Sequence, residues 1–284
     1  MKKRFFRMVT LGIKQFRDPY YQGFAGQLSF YFMLSLVPII ILISQILGTI
    51  FGSSMDTAMD WLLQYTKGVV AEEVRNLLSY KFAIGNNIFL FLIALWASSR
   101  AQFAMLRITN FTFTDGRSTG RGYWRERFRA LVNMCFMLLT IIFALLVLVY
   151  GEAILGVVLD ILGISRNAGD IWLILRWPVA VVFYFMTISY NYYTLPTEKV
   201  TFKEIIPGSI FASVGLLLVT LLYATYVGQI ADYDILYGSL ANIVALLIWF
   251  YFLAWVLCLG VLFNKVWKDT KNEEENDDTG SYYE

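Results

Sequence analysis

Three ionisable side chains fall inside long apolar runs of this 284-residue chain: Arg100 in WASSRAQ, Glu152 in VLVYGEAILG and Arg176 in LILRWPV. Charge in hydrocarbon is costly, and it persists where it is paired, hydrated or in contact with a substrate. Arg100 lies about two turns from one end of its run, where its stem can snorkel toward lipid headgroups or meet an anion in a cavity. Glu152 and Arg176 lie at similar depth near the opposite end of theirs. They are expected to pair or share a polar pocket, against the plainer alternatives of a structural ion pair or two separate snorkelling chains.

Two prolines mark the same runs. Pro38 in SFYFMLSLVPII falls roughly 15 Å into the first run at 1.5 Å per residue, and Pro178 directly follows Arg176 and Trp177. Proline removes a helix hydrogen bond and kinks the segment. Broken helices line many transport sites, and Gln27 and Ser35 stand near enough in sequence to solvate the freed backbone of the first run. Arg100, Glu152, Arg176, Gln27 and Ser35 are therefore the candidate substrate or headgroup contacts.

The most basic stretch is DGRSTGRGYWRERFRAL at 115–131, where Arg117, Arg121, Arg125, Arg127 and Arg129 face only Asp115 and Glu126. Trp124, Phe128 and Leu131 recur at helical spacing, with Arg121, Arg125 and Arg129 on a neighbouring stripe. That pattern describes an amphipathic helix lying in a membrane interface, its arginines against anionic lipid. A phosphate-cradling loop would need G-x-x-x-x-G-K-[ST] between strand and helix, which GRSTGRG does not supply. Metal-assisted nuclease chemistry would need clustered carboxylates or histidines; the chain has no histidine and its acidic residues on this side are scattered. No metal site, cofactor, catalytic residue or nucleic-acid partner is therefore expected. Cys135 and Cys258 lie in apolar runs without disulfide or metal spacing.

The elements that must position these residues follow from composition. Hydrophobic residues make up 58% of the chain and charged ones only 15%, far from the roughly one-quarter charge of soluble domains. Six segments approach the roughly 20 apolar residues that span a bilayer: about 28–51, 86–107, 131–158, 171–194, 205–228 and 238–265. The expected fold is all-α, a polytopic membrane protein with a single six-span domain over 1–268. An interfacial helix at about 3–17 precedes it, two short amphipathic helices fill the outer loop 52–85, and an acidic, disordered tail covers 269–284. Lys and Arg concentrate on the side of both termini and of the 107–130 loop, which places that side in the cytoplasm. Gly208, Ala212 and Gly215, with Gly238, Ala241 and Ala245, are small enough for close helix packing.

FAGQLSFYFMLSLVPIII at 24–41, the 115–131 loop, YNYYTLPTEKVTFKEIIPGSI at 190–210 and YGSLANIVALLIWFYFLAWVLCLGVLFNKVW at 237–267 together resemble the YihY/BrkB family of bacterial inner-membrane proteins. The resemblance implies a six-helix protein of the bacterial cytoplasmic membrane. It also carries an older ribonuclease BN label, which the missing histidine and carboxylate cluster argue against. The expected function is a transporter or flippase-like facilitator for an anionic lipid or amphiphile, with anionic membrane lipids as partners. The alternatives are a scaffold that recruits an envelope protein through 115–131, and a small-solute or ion transporter; oligomers are compatible with each.

Overall fold

The computed structural model describes residues 6, 10, 11, 13, 17–51, 88–163, 167–229 and 240–279. Six long helices account for most of them: α1 (Tyr20–Phe51), α2 (Ile88–Phe113), α3 (Tyr123–Ile161), α4 (Ala168–Thr194), α5 (Phe202–Gln229) and α6 (Leu240–Thr279). Phe6, Thr10, Leu11 and Ile13 are helical as well. The rest of the expected 3–17 helix, and the two expected in 52–85, lie outside the described residues.

Five helices, α1 and α3 to α6, hold stretches long and apolar enough to cross a membrane. The helix expected as the second span, α2, is not among them over its described side chains. Its second half carries Arg100, Gln102, Arg107, Asn110 and Thr112, which lower its hydropathy. Many apolar side chains point outward, as Leu173, Ile174 and Trp177 do on α4; this is the surface expected of helices solvated by lipid.

Local chemistry sets the helix ends. Asp18 accepts from the Tyr20 amide at 3.0 Å, with Pro19 between them, and Asn167 accepts from the Gly169 amide at 3.2 Å; both are N-terminal caps. Glu204 reaches back to the Thr201 amide at 3.1 Å, half of a capping box at the start of α5. α2 ends in a Schellman motif: Gly116 N donates to Phe111 O and Asp115 N to Thr112 O, with Asp115 at φ 51°.

Two ends differ from expectation. The interfacial helix foreseen before residue 131 and the third span are one 39-residue helix, because no proline interrupts it. α6 runs on to Thr279, so the tail expected to be disordered from 269 is helical for its first eleven residues. No proline intervenes before Gly280, and Lys265 pairs with Asp269 one turn on at 3.0 Å. Pro38 and Pro178 both lie within helices that continue on either side of them.

The chain gathers into two compact units. The first comprises 1–33, 100–130 and 188–284, the second 34–99 and 131–187. In the second, Leu42, Ala94, Met134 and Leu138 form a buried cluster against Ile39, Ile43, Phe91 and Leu95. In the first, α5 packs on α6 through the small residues: a Cβ on Gly208 would strike Gly260 O and the Asn264 side chain. Asn264 instead accepts from the Gly208 amide at 2.7 Å, and Tyr192 donates to Leu257 O at 2.9 Å.

Candidate functional site

The polar residues of the first unit converge where the 114–122 connection meets the 195–201 connection. Glu126, on the first turn of α3, is 2% exposed. Its Oε1 accepts from the Arg121 amide at 2.9 Å and from Thr197 Oγ1 at 3.3 Å, and its Oε2 from Arg129 Nη1 at 2.7 Å. Arg129 then spends Nη2 on the carbonyls of Thr194, Leu195 and Pro196 at 3.0–3.2 Å. It therefore caps the C-terminus of α4, whose last carbonyls have no intrahelical donor.

Thr197 is held from every side. Its amide donates to buried Asn110 at 2.7 Å, its carbonyl accepts from Arg121 Nη2 at 3.1 Å, and its hydroxyl accepts from Arg129 Nη1 at 3.1 Å. Gly120 closes the arrangement: at φ 144° a Cβ would stand 2.7 Å from Glu126 Cγ, so any other residue there would be strained and would displace the carboxylate. Lys265 on α6 pairs with Asp115 at 3.4 Å.

Gly120 borders two cavities. One, of about 390 Å³, is lined by Asn110, Thr114, Ser118, Arg121, Thr197 and Lys199 among others. The other, of about 280 Å³, opens between α2 and α3 and is lined by Phe103, Arg107, Tyr123 and Glu126. The buried Arg127 guanidinium lies over the Phe103 ring, 5.5 Å from its centroid. Phe103 meets Tyr123 edge-on at 5.5 Å, and Tyr123 meets Trp124 at 5.3 Å.

The residues singled out from sequence fall in different places. Arg121 and Arg129 grip backbone carbonyls, while Arg125 and Arg117 are exposed, Arg117 3.8 Å from Asp115. Arg100 is exposed on α2 and within electrostatic reach of Arg127. Gln27 is half-buried and Ser35 buried, both on α1. Within the second unit, Glu152 is exposed with its carboxylate against Gly169, and half-buried Arg176 lies over the Trp177 ring at 5.6 Å.

Arg107, Asn110 and Thr197 of this region were not singled out, and Arg127 entered only as one of the five arginines of the basic stretch. A signal for two of them was present. Arg100, Phe103 and Arg107 stand at i, i+3 and i+7, and Tyr123 and Arg127 at i and i+4, the spacing of two facing helix stripes. Nothing local points to Asn110 and Thr197, which are 87 residues apart.

Long apolar helices with their charged groups gathered in a hydrogen-bonded set at the helix ends define a polytopic helical membrane protein. The family follows from comparison: the model of the Virulence factor BrkB family matches residues 13–281, and the chain belongs to that family. It is 27% identical over 84% of its length, and 87% of the relative's, to the ribonuclease-like protein YfkH of Bacillus subtilis. It is 26% identical to a UPF0761 membrane protein of Verminephrobacter eiseniae over 87% of this chain and 58% of the relative. A UPF0761 membrane protein of Albidiferax ferrireducens is 32% identical over 50% of this chain and 34% of its own. No solved structure matches the chain.

Proposed function

We propose that this membrane protein is a transporter or flippase-like facilitator for an anionic amphiphile, resident in the bacterial cytoplasmic membrane. One observation carries the reading. The first turns of α3 expose Trp124 and Phe128, 75% and 68% accessible, while the same turns direct Arg127 inward over Phe103. With Arg125 exposed on the same turns, one helix end offers an apolar surface to an acyl chain and a cationic one to a headgroup. Arg100 and Gln27 of the first unit belong to this reading as headgroup contacts; Ser35, and Glu152 with Arg176 as a polar pair, belong to it as contacts of the second unit.

The reading takes α2 as a sixth span, since its 26 residues measure about 39 Å, and places both termini in the cytoplasm by the Lys and Arg bias. Vesicles reconstituted with the purified protein and a fluorescent anionic lipid analogue test it. Transbilayer redistribution at least tenfold faster than in protein-free vesicles is expected, and an unchanged rate defeats it.

A scaffold that recruits an envelope protein through 115–131 is the second reading. It is favoured by the way Glu126, Arg129 and Thr197 hold the connection in place while Arg117 and Arg125 project from it. Crosslinking from position 125 to one recurrent protein, with lipid redistribution absent, selects it.

A further inference from the structure

We propose that the cavity walled by the 114–122 and 195–201 connections binds a phosphate ester of a small polyol. Arg121 and Lys199 take the phosphate, and Glu198 with the Thr114, Ser118 and Thr197 hydroxyls takes the hydroxyl groups. The inference goes beyond the amphiphile reading and does not depend on it: every residue lining the cavity belongs to the first unit, and neither Trp124 nor Phe128 is among them.

At about 390 Å³ the cavity stands at the lower end of the roughly 300–1,000 Å³ of small-molecule sites. None of the described residues lining it is aromatic or aliphatic, so a nucleobase has nothing to stack on and an acyl chain no face to cover. Its wall is fixed by the chain itself. Thr114 Oγ1 accepts from the Ser118 amide at 3.0 Å and shares its proton between the Asn110 and Ser118 carbonyls at 2.8 and 2.9 Å. Ser118 Oγ accepts from the Gly120 amide at 3.1 Å and donates to Gly120 O at 3.0 Å. Asn110 ties this turn to Thr197, donating to Thr119 O and accepting from the Thr197 amide. A wall held in place in this way has little freedom to lose when a ligand enters.

What the wall leaves over selects the ligand. A hydroxyl oxygen has two lone pairs. Those of Thr114, Ser118 and Thr197 each accept one bond, from the Ser118 amide, the Gly120 amide and Arg129 Nη1, and keep a second lone pair for an incoming O–H. Glu198 is exposed, and its carboxylate accepts from none of the described residues. The cations are equally available. Arg121 spends Nη2 on Thr197 O at 3.1 Å, and its remaining guanidinium hydrogens meet no acceptor among the described residues. Lys199 is exposed, with no ion pair among them, and the Lys268 ammonium stands 3.4 Å from the Lys199 carbonyl. Arg121, Lys199 and Lys268 against Glu198 leave a surplus of two positive charges, and a phosphomonoester brings about one and a half to two negative ones at neutral pH. Guanidinium and ammonium groups both suit phosphate oxygens. A bare oxyanion would meet these cations but set its other oxygens against hydroxyl lone pairs and a carboxylate. A phosphate joined to hydroxyl groups satisfies both kinds of partner.

The test is calorimetric titration of the purified full chain, in a phosphate-free zwitterionic detergent at pH 7.5, with glycerol 3-phosphate, inorganic phosphate, glycerol and short-chain phosphatidylglycerol. Glycerol 3-phosphate is expected to bind about tenfold or more tightly than inorganic phosphate, with no binding of glycerol. Lys199→Gln should weaken glycerol 3-phosphate about fivefold or more, and Arg17→Gln, an exposed charge that does not line the cavity, less than about twofold. Glu198→Ala should strengthen inorganic phosphate while shrinking the advantage of glycerol 3-phosphate, since it removes a negative charge and a hydroxyl acceptor together. Arg121 also holds the Thr197 carbonyl, so Lys199→Gln with unaltered thermal unfolding is the deciding variant.

Glycerol 3-phosphate binding more tightly than phosphatidylglycerol supports the site and assigns it to a soluble polyol phosphate. The reverse order, lost in Lys199→Gln, supports it as a seat for the same group on a lipid. Inorganic phosphate binding as tightly as glycerol 3-phosphate, or equal losses from Lys199→Gln and Arg17→Gln, overturns the proposal. Lipid redistribution in vesicles is a separate measurement, and its absence removes the transport reading while leaving this site standing.

Discussion

The two compact units hold their helices in different ways. In the second, Leu42, Ala94, Met134 and Leu138 meet as an apolar cluster, and Phe143 packs edge-on against Phe183 at 5.7 Å. In the first, Glu126, Arg129, Asn110 and Thr197 join three stretches of chain through hydrogen bonds of 2.7–3.3 Å, charge-assisted wherever Glu126 or Arg129 takes part. The difference follows from the solvent. Lipid is as apolar as leucine, so apolar contacts between membrane helices gain packing energy but little from leaving their surroundings. A buried carboxylate has no such indifference: it is satisfied in one arrangement and costly in most others. The first unit is therefore the more sharply specified of the two.

Substitutions that strip each unit of its own kind of contact can break that contrast. Unfolding is followed by labelling of the buried Cys258 thiol in a Cys135→Ala background, since Cys135 is exposed and would react first. The largest effect is expected for Glu126→Ala, which leaves Arg129 and the Arg121 amide without their buried partner and should cost about 3–5 kcal/mol. Gly120→Ala should follow at about 1–3 kcal/mol, from a φ of 144° unsuited to alanine and the 2.7 Å approach to Glu126.

Leu138→Ala, in the apolar cluster, should cost about 1–2 kcal/mol, because the cavity term remains while the transfer from water does not apply. A loss from Leu138→Ala as large as that from Glu126→Ala would dissolve the comparison. The smallest effect, below about 0.5 kcal/mol, is expected for the exposed Arg125→Ala. If Arg125→Ala destabilised as much as Arg129→Ala, the distinction between gripping and projecting arginines would fall with it.

Much of the helical layout was readable in advance. The starts and ends of α4 and α5 lie within three residues of the expected spans, because apolar length and flanking caps are local properties. The start of α3 was not, since an amphipathic first turn and an apolar span look like two elements until they are seen as one axis. The end of α6 was misread because composition favours disorder in EEENDD, while a well-anchored helix upstream propagates through it. Within the basic loop, the outward placement of Trp124 and Phe128 followed from spacing alone. The division of labour among its arginines did not: Arg129 meets Thr194, Leu195 and Pro196 across 65 to 67 residues, and no local pattern encodes a partner so distant.

Sequence alone determined that this chain is apolar, helical and basic at one set of helix ends, because hydropathy and charge placement are sums over neighbouring residues. Tertiary structure decided which arginines are bound and which face an opening. Arg121 and Arg129 are spent on carbonyls, Arg117 and Arg125 project, and Arg127 lies buried over Phe103. Residues of one type in one short stretch differ in role because each meets another part of the chain, and a guanidinium acts on whatever acceptor stands within about 3 Å of it.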